Sequence, residues 1–522
     1  MNLTTDPWIP VVGDNGESQM VGLVEAFEHG EQIRDLAVRP HERIALMRLL
    51  ICIAQAALDG PADRKEWLAC QATITRRAVD CLQRCRAAFE LLGNGPRFLQ
   101  VKGDGKPGRM ELDKLSFIDA EAPTLFDHDV RPGREHTLQW AALSLVSYQS
   151  FAAGGTVGGS FEQGGRILPQ KGKNGPCRDG SAFHTFIRRE NLVATIHSNL
   201  VNRETIGRFK SLTWGVPVWE LGAIRLAELK SRPDITRSYL GRLAPISRAV
   251  WLADDGITAS TANGLDYPNF EEGIRESTTA VRRGKDNNGR ETLSLVTAAD
   301  GESIRRPWRE LHALTIKRTH DDGVGGPLAL GNLDDNDSLD LWVGAVVTDQ
   351  AKIVDTVESS YPLPRGWLRK TAQHSYEAGV HHAEEWERRL SRALRLYRLA
   401  SETNEKTAEA LSRRFSKLRG VEKQRLFAIS NKACSSYWTL LEAQLELLNR
   451  FALGPVPLIG DRISYHKTEW GRYVRGIALE SYERACPHET PRQFRAYALG
   501  LKALFPERAE ETEPEVEEEV KA

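Results

Sequence analysis

Between His41 and Gly60 the chain reads "HERIALMRLLICIAQAALDG", and apolar residues return every three or four positions. Ile44, Met47, Ile51, Ala54 and Leu58 fall on one helical face, and Gly60 with Pro61 supplies the stop signals of a helix end. Ahead of it, "WIPVV" closed by "GDNG" predicts a short strand and a turn. Further on, "ESTTAV" and "ETLSLV" flank the turn-rich "RRGKDNNGR", which predicts a β-hairpin with a long basic tip. "LWVGAVV", read as an alternating run, predicts a strand feeding a turn. Glycine and proline punctuate everything up to about Gly366, so this part mixes helices, strands and loops.

After "YPLPRGW" the texture changes. Trp386, Leu390, Leu394 and Tyr397 recur at helical spacing, as do Trp438, Leu441, Leu445 and Leu448, and few breakers interrupt the chain before Leu504. Successive long amphipathic helices predict a bundle. The whole pattern predicts an α+β protein: a large mixed α/β N-terminal domain over residues 1–370, then a C-terminal helical bundle of the four-helix type over 371–506. An acidic tail, 507–522, carries too little apolar surface to fold alone and is expected to be disordered. No internal repeat of fixed period stands out.

Composition sharpens this picture in three ways. A chain of 522 residues exceeds the size at which one core keeps growing, so more than one domain is expected. The formal net charge of −1 averages two unlike parts, because the tail holds eight Glu against one Arg and one Lys. Without it the body is mildly basic, which suits a polyanionic partner. No run approaches the roughly eighteen uninterrupted apolar residues of a membrane span. The opening "MNLTTDPWIPVVGDNG" lacks a charged-then-apolar signal, and seven irregularly spaced cysteines fit a reducing compartment. A cytoplasmic protein that does not engage a membrane is expected.

Candidate chemistry for an enzyme is thin. "THDD" places His320 beside Asp321, a pair of the kind that metal phosphohydrolases use, but the match is two residues long and sits in a polar, glycine-rich stretch. "LDDNDSLD" clusters carboxylates without the glycine and terminal glutamate of a calcium loop. His381 and Glu385 lie one turn apart and could bind a metal only if two further ligands converged, whereas Cys81 and Cys85, also one turn apart, have no second pair of Cys or His nearby. The glycines of "SFAAGGTVGGSFEQGG" lack the Gly-Lys-Ser/Thr ending of a phosphate loop. No catalytic residue, metal or cofactor is assigned.

That glycine-rich stretch is nevertheless the most unusual feature of the chain. Nine glycines fall between Gly154 and Gly180, interleaved with Arg166, Lys171, Lys173 and Arg178. Such a run suits a floppy surface loop or a backbone that a ligand must approach closely.

Several stretches, taken in order, carry a resemblance: "NLTTDPWIPV", "PTLFDHD", the glycine-rich segment after "ALSLVSYQS", "HTFIRRENLVATI" and "DLWVGAVVTDQAKIV". Together they resemble the large (CasA-type) subunit of the type I-E CRISPR Cascade surveillance complex. The resemblance covers most of the chain. It implies a non-catalytic subunit of an RNA-guided antiviral complex that recognises the protospacer-adjacent motif (PAM) in double-stranded target DNA. The subunit would wedge the duplex open for guide RNA pairing and help recruit a separate helicase-nuclease, with other Cascade subunits as partners. The division of labour matches other RNA-guided systems, in which base pairing reads sequence and protein reads the PAM.

Residue by residue, the resemblance implies that Gly154, Gly155, Gly158 and Gly159 approach the minor groove at the PAM. A backbone without side chains suits a groove only about 6 Å wide. Phe126 matches an aromatic in a loop close to the PAM, and Gln350, flanked by Asp349 and Ala351, matches the wedge. Two departures stand out. Asp349 puts an acid beside the wedge, and "ADDGITASTANG" lacks the lysine that the family can place in the minor groove. Arg166, Lys171, Lys173, Arg178, Arg282, Arg283 and Lys285 are the expected phosphate contacts. Two rival readings stay open, a metal-dependent nuclease built on His320 and Asp321 and a purely structural scaffold subunit.

Overall fold

A computed structural model describes residues 1–116, 136–163, 166–232, 234–285, 288–300, 303–320, 323–349, 352–403, 405–460 and 462–506. The chain forms two compact units, Met1–Arg369 and Lys370–Ala522.

In the first unit, β1 (Ile9–Gly13) lies between β2 (Ser18–Val21) and β3 (Ile33–Leu36) in an antiparallel sheet. Helix α1 (Pro40–Leu58) follows and ends where Asp59 and Gly60 turn left-handed, at φ 56° and 67°. The one-faced stripe read from the sequence understates it. Leu46, Leu49, Leu50 and Ile53 are buried as fully as Ile44 and Ile51, and so are Arg48 and Gln55. A helix apolar nearly all round belongs inside a core. Here α1 packs against the helix Ile74–Arg84 and several later elements.

The elements that build the candidate site come next. They are β4 (Gly108–Glu111), α2 (Leu138–Phe151), β5 (Gly155–Gln163), β6 (Arg166–Gly172), β7 (His184–Arg188), β8 (Arg248–Leu252) and β9 (Thr258–Asn263). Then come β10 (Val281–Lys285), β11 (Glu291–Leu295), β12 (Leu339–Asp349) and β13 (Lys352–Leu363). Two three-stranded antiparallel sheets run β4-β9-β8 and β13-β12-β7, while β5-β6 and β10-β11 are hairpins.

Two strand expectations need correction. "LWVGAVV" does not alternate: every residue from Leu341 to Val347 is buried, because β12 is a central strand with α1 packed against it. Such strands read as continuous apolar runs. In the basic hairpin, strand β10 begins only at Val281, so Arg282, Arg283 and Lys285 sit on the strand itself and not at a long tip.

The second unit is helical. Its longest element, α3 (Lys370–Glu402), packs against each of α4 (Ala408–Lys417), α5 (Gly420–Glu442), α6 (Leu445–Leu453), α7 (Glu469–Ala485) and α8 (Pro491–Leu504). The single periodic run read across Trp438 to Leu448 is two helices, interrupted at Ala443 and Gln444. A small hairpin, Leu458–Ile459 with Arg462–Ile463, also escaped the sequence reading. Aromatic groups fasten α7 to the spine. The Trp470 indole donates to the Gly379 carbonyl at 2.9 Å and the Tyr465 hydroxyl to the Ala378 carbonyl at 2.9 Å. Taken together, the fold is α+β with a helical C-terminal part, as the pattern predicted. Among the described residues, no helix is long and apolar enough to cross a membrane.

Candidate nucleic-acid interface

The glycine-rich stretch is not a floppy loop. It folds as the hairpin β5-β6, in register from Gly155↔Gly172 through Gln163↔Arg166, with a shift between Thr156 and Ser160. That shift is where β5 leans on its neighbours: the Lys106 and Ser160 backbones exchange two hydrogen bonds of 2.9 Å. The glycines explain the closeness. A Cβ on Gly158 would lie 2.6 Å from Thr261 Cγ2, and one on Gly159 would lie 2.8 Å from the Lys106 carbonyl oxygen. A Cβ on Gly108 would lie 2.6 Å from the Gly159 nitrogen. Gly159 also holds φ 96°, a left-handed value that side chains disfavour.

Gly158 and Gly159 thus serve the packing of β5 onto the β4-β9 edge. Gly155, exposed like Gly158, differs in that it holds φ 107° and a Cβ there would meet nothing within 4 Å. Of these three it alone has open space where a side chain would stand. This separation is testable. Gly158→Ala is expected to cost about 1–3 kcal/mol by overpacking. Thr261→Ser, which deletes the clashing methyl, is expected to recover most of it. Urea midpoints of the single and double variants decide the matter, and an unrescued double variant would refute the steric explanation.

A turn at Pro176–Ser181 follows the hairpin, and Ser181 ties three elements together. Its Oγ accepts from the Thr348 backbone amide at 2.9 Å, at the bulge near the end of β12. Its carbonyl accepts from the Ala298 amide at 2.9 Å, just beyond β11. Ser181 is 3% exposed and holds φ 56°, a left-handed conformation uncommon for a residue with a side chain. The turn that follows the glycine hairpin is therefore bonded both to the end of β12 and to the segment after β11.

At that end, Asp349 pairs in register with Lys352, and residues 350 and 351 connect them. Gln350, Ala351 and Phe126 lie outside the described residues, as does the tail 507–522. Asp349 and Lys352 are both exposed. The lysine, which the sequence reading passed over, sits directly across from the acid in the ladder. A cross-strand pairing of this kind is legible only once the register is known.

The basic residues sort themselves sharply. Arg178 is 4% exposed and donates inward to the Phe151 carbonyl, so it is withdrawn as a phosphate contact. Arg282 is held by the buried carboxylate of Glu310 at 2.9 Å, Arg283 pairs with Glu291 at 3.3 Å, and Lys173 pairs with Glu272. Arg166, Lys171 and Lys285 are exposed, and no ion pair engages them among the described residues.

A cavity of about 520 Å³ opens at the root of the glycine hairpin, lined by Gly154, Lys173, Asp179, Tyr267 and the buried pair Arg242 and Glu276. Arg242 Nε donates to Glu276 Oε1 at 2.6 Å and Arg48 Nη2 to Oε2 at 2.8 Å. Burial alone would push the Glu276 carboxyl up, but the two guanidiniums outweigh it and hold the acid below its usual range. Thr278 links this cluster to His184, its Oγ1 lying 3.3 Å from Arg48 Nη1 and 2.8 Å from His184 Nδ1. Burial, with Arg48 nearby, pulls His184 down to about 4. These groups brace the site's root and are sealed from a macromolecular ligand.

The remaining candidates have structural roles. In "LDDNDSLD", Asp334 pairs with Arg64 and Asp335 with Lys317, both at 2.7 Å. His382 stacks on Tyr465 at 3.8 Å and accepts from the Trp386 indole, and burial pulls its pKa to about 4. Cys81 is buried, which pushes its thiol up to about 12. His320 is exposed, while Asp321 lies outside the described residues. Among the described residues no three His, Cys, Asp or Glu side chains converge as metal ligands.

Comparison with known proteins places this geometry in context. The family described as CRISPR-associated protein Cse1 matches residues 2–481. A CRISPR-associated protein CasA/Cse1 of Thermus thermophilus is 26% identical over 533 residues, covering 96% of this chain and 95% of the relative. A crystal structure of Thermus thermophilus CasA superposes with a TM-score of 0.71 at 22% identity, covering 97% and 98% of the two chains. A chain from a structure titled CRISPR RNA-guided surveillance complex superposes with a TM-score of 0.69 at 18% identity, covering 97% and 99%.

Proposed function

Because the chain belongs to the CRISPR-associated Cse1 family, the large-subunit family of the type I-E Cascade complex, we propose that it recognises the PAM of double-stranded DNA and starts strand separation there. It acts without catalysing a reaction itself. Guide RNA and the other Cascade subunits are its standing partners, and a separate helicase-nuclease is recruited afterwards. The observation that carries this reading is the anchor at Ser181. Ser181 fastens the strand that leads to the Asp349 to Lys352 hairpin end, and it lies nine residues after Gly172, the partner of the open Gly155.

The chemistry follows from that arrangement. Backbone at Gly155 enters a groove about 6 Å wide where a bulkier residue could not. Contacts there distinguish A·T from G·C and little more, so PAM recognition is tolerant. The hairpin end carrying Gln350 inserts at the adjacent base step, and the cost of unstacking, a few kcal/mol, is offset by new protein contacts and by guide pairing.

The test is duplex binding by the guide-loaded complex with and without this chain, on matched targets that differ only in the flanking PAM. The chain is expected to bring a PAM-dependent gain. Gly155→Ala and Gln350→Ala should each shrink it by about tenfold, the scale of one mismatched base pair. A gain equal for all flanks and untouched by both variants would leave only a scaffold.

A further inference from the structure

Of the seven cations read from the sequence as DNA contacts, three are paired with carboxylates and Arg178 is buried, which raises the question of what grips the phosphates beside the glycine strip. Sorting the charges around β5 keeps one of those cations, Lys171, and adds Lys106, which no motif supplied. Lys173 is paired with Glu272 and Lys230 with Asp104. Lys106 and Lys171 are exposed and engaged in no ion pair among the described residues.

Their placement is specific. Lys171 stands on β6 opposite Thr156 of β5. Lys106 stands on the other side of β5, bridged to Ser160 by two backbone hydrogen bonds. On the middle strand between them the open Gly155 adjoins Thr156, and the packed Gly158 and Gly159 precede Ser160, so the two lysines are staggered along β5. Adjacent strands are about 4.8 Å apart, so the two lysine-bearing strands are roughly 9–10 Å apart. That exceeds the minor-groove opening of about 6 Å. A backbone strip centred in the groove would leave one lysine over each wall.

We propose that Lys106 and Lys171 form a two-sided phosphate clamp, one on each strand of the duplex, which centres the glycine strip over the minor groove. The clamp carries no sequence information, because phosphates are the same at every base pair. It sets the register from which the glycine backbone reads. This inference rests on the reading of β5 as a DNA-contacting element.

The experiment is the salt dependence of duplex binding by the complete guide-loaded complex, on PAM-bearing and PAM-lacking targets. Each lost phosphate contact should flatten the log–log salt slope by about 0.9. Lys106→Met is therefore expected to lose about 3-fold less affinity than the parent between 50 and 200 mM salt. The double variant with Lys171→Met should show about twice that change in slope. Lys106→Arg should keep the parental slope, and the effect should be equal on both targets. Thermal unfolding checks that the variants fold, and Lys106→Gln serves if Lys106→Met does not. An unchanged slope while Gly155→Ala still weakens PAM discrimination overturns the clamp and leaves the DNA reading standing. An unchanged slope with an inert Gly155→Ala overturns both.

Discussion

Glu276→Ala is expected to destabilise the first unit by about 3–5 kcal/mol, the usual cost of stripping one partner from a buried ion pair. Glu276 is 8% exposed, with Arg48 at 0% and Arg242 at 3%, so two guanidiniums would be left buried without their counter-charge. With typical stabilities of 5–15 kcal/mol, a loss of that size takes much of the margin. Glu276→Gln, which keeps the shape and loses the charge, should fall in between. Urea unfolding of the full chain, with hydrogen exchange to localise the loss, measures it. A change below about 1 kcal/mol for the alanine variant would mean that water or a neighbour had replaced the carboxylate.

The same cluster sets the acid limit of the fold. His184 titrates near 4 when folded against a usual 6.5. Below about 6.5 the unfolded chain therefore takes up a proton that the folded chain refuses, and stability falls as pH drops toward 4. Glu276 works at lower pH: its folded pKa is depressed, so its contribution is present above its usual 4.5 and is lost as pH falls through the folded value. Melting temperatures should thus begin to decline already between pH 6.5 and 5, and the Glu276 variants should lose the further decline below about 4.5.

In the helical unit, two glycines five residues apart on α7 should respond with opposite signs. A Cβ on Gly471 would lie 2.1 Å from the Tyr465 carbonyl oxygen, a backbone atom that cannot swing away. Gly471→Ala must push off the segment through which Tyr465 stacks on His382 and bonds to Ala378, at a cost near the top of the overpacking range, about 3 kcal/mol. Gly476 is exposed and a Cβ there meets nothing within 4 Å. Gly476→Ala should instead add about 0.5–1 kcal/mol through helix propensity. Exchange protection of α7 amides in the two variants reads both, and equal signs would contradict the packing at Tyr465.

What the sequence could reveal depended on how local each signal was. The helix at Pro40–Leu58, the strand at "WIPVV" and the helical run through Trp386 and Leu394 were legible because periodicity and stop signals are short-range. The glycine stretch stays ambiguous between a loop and a ligand-facing backbone in sequence because its glycines answer to Thr261 and Lys106, partners far away in the chain. The phosphate contacts went the same way. Arg178 and Arg282 look identical to Lys171 on paper, and only folding shows that Phe151 and Glu310 claim the first two. Lys106 and Lys352 were missed for the converse reason, since nothing local marks a lysine as lying across a strand from the residue that matters. The buried Arg48, which sits on the apolar face of α1, needed Glu276 from more than 200 residues away to make sense.

The sheet that carries the hairpin end also has a history in time. β12 pairs with β13 through a two-residue connection, but its other neighbour, β7, lies about 150 residues earlier in the chain. The local hairpin can form within microseconds, whereas closing so long a loop is slow and must await the rest of the unit. During synthesis β7 emerges well before any partner exists for it, and four of its five residues are destined for burial. An unpaired apolar edge is a template for sticking to other chains. The long-range pairing that completes the sheet therefore makes the nascent chain dependent on prompt completion, and truncation anywhere between Arg188 and Leu339 should yield aggregates and not a smaller folded piece.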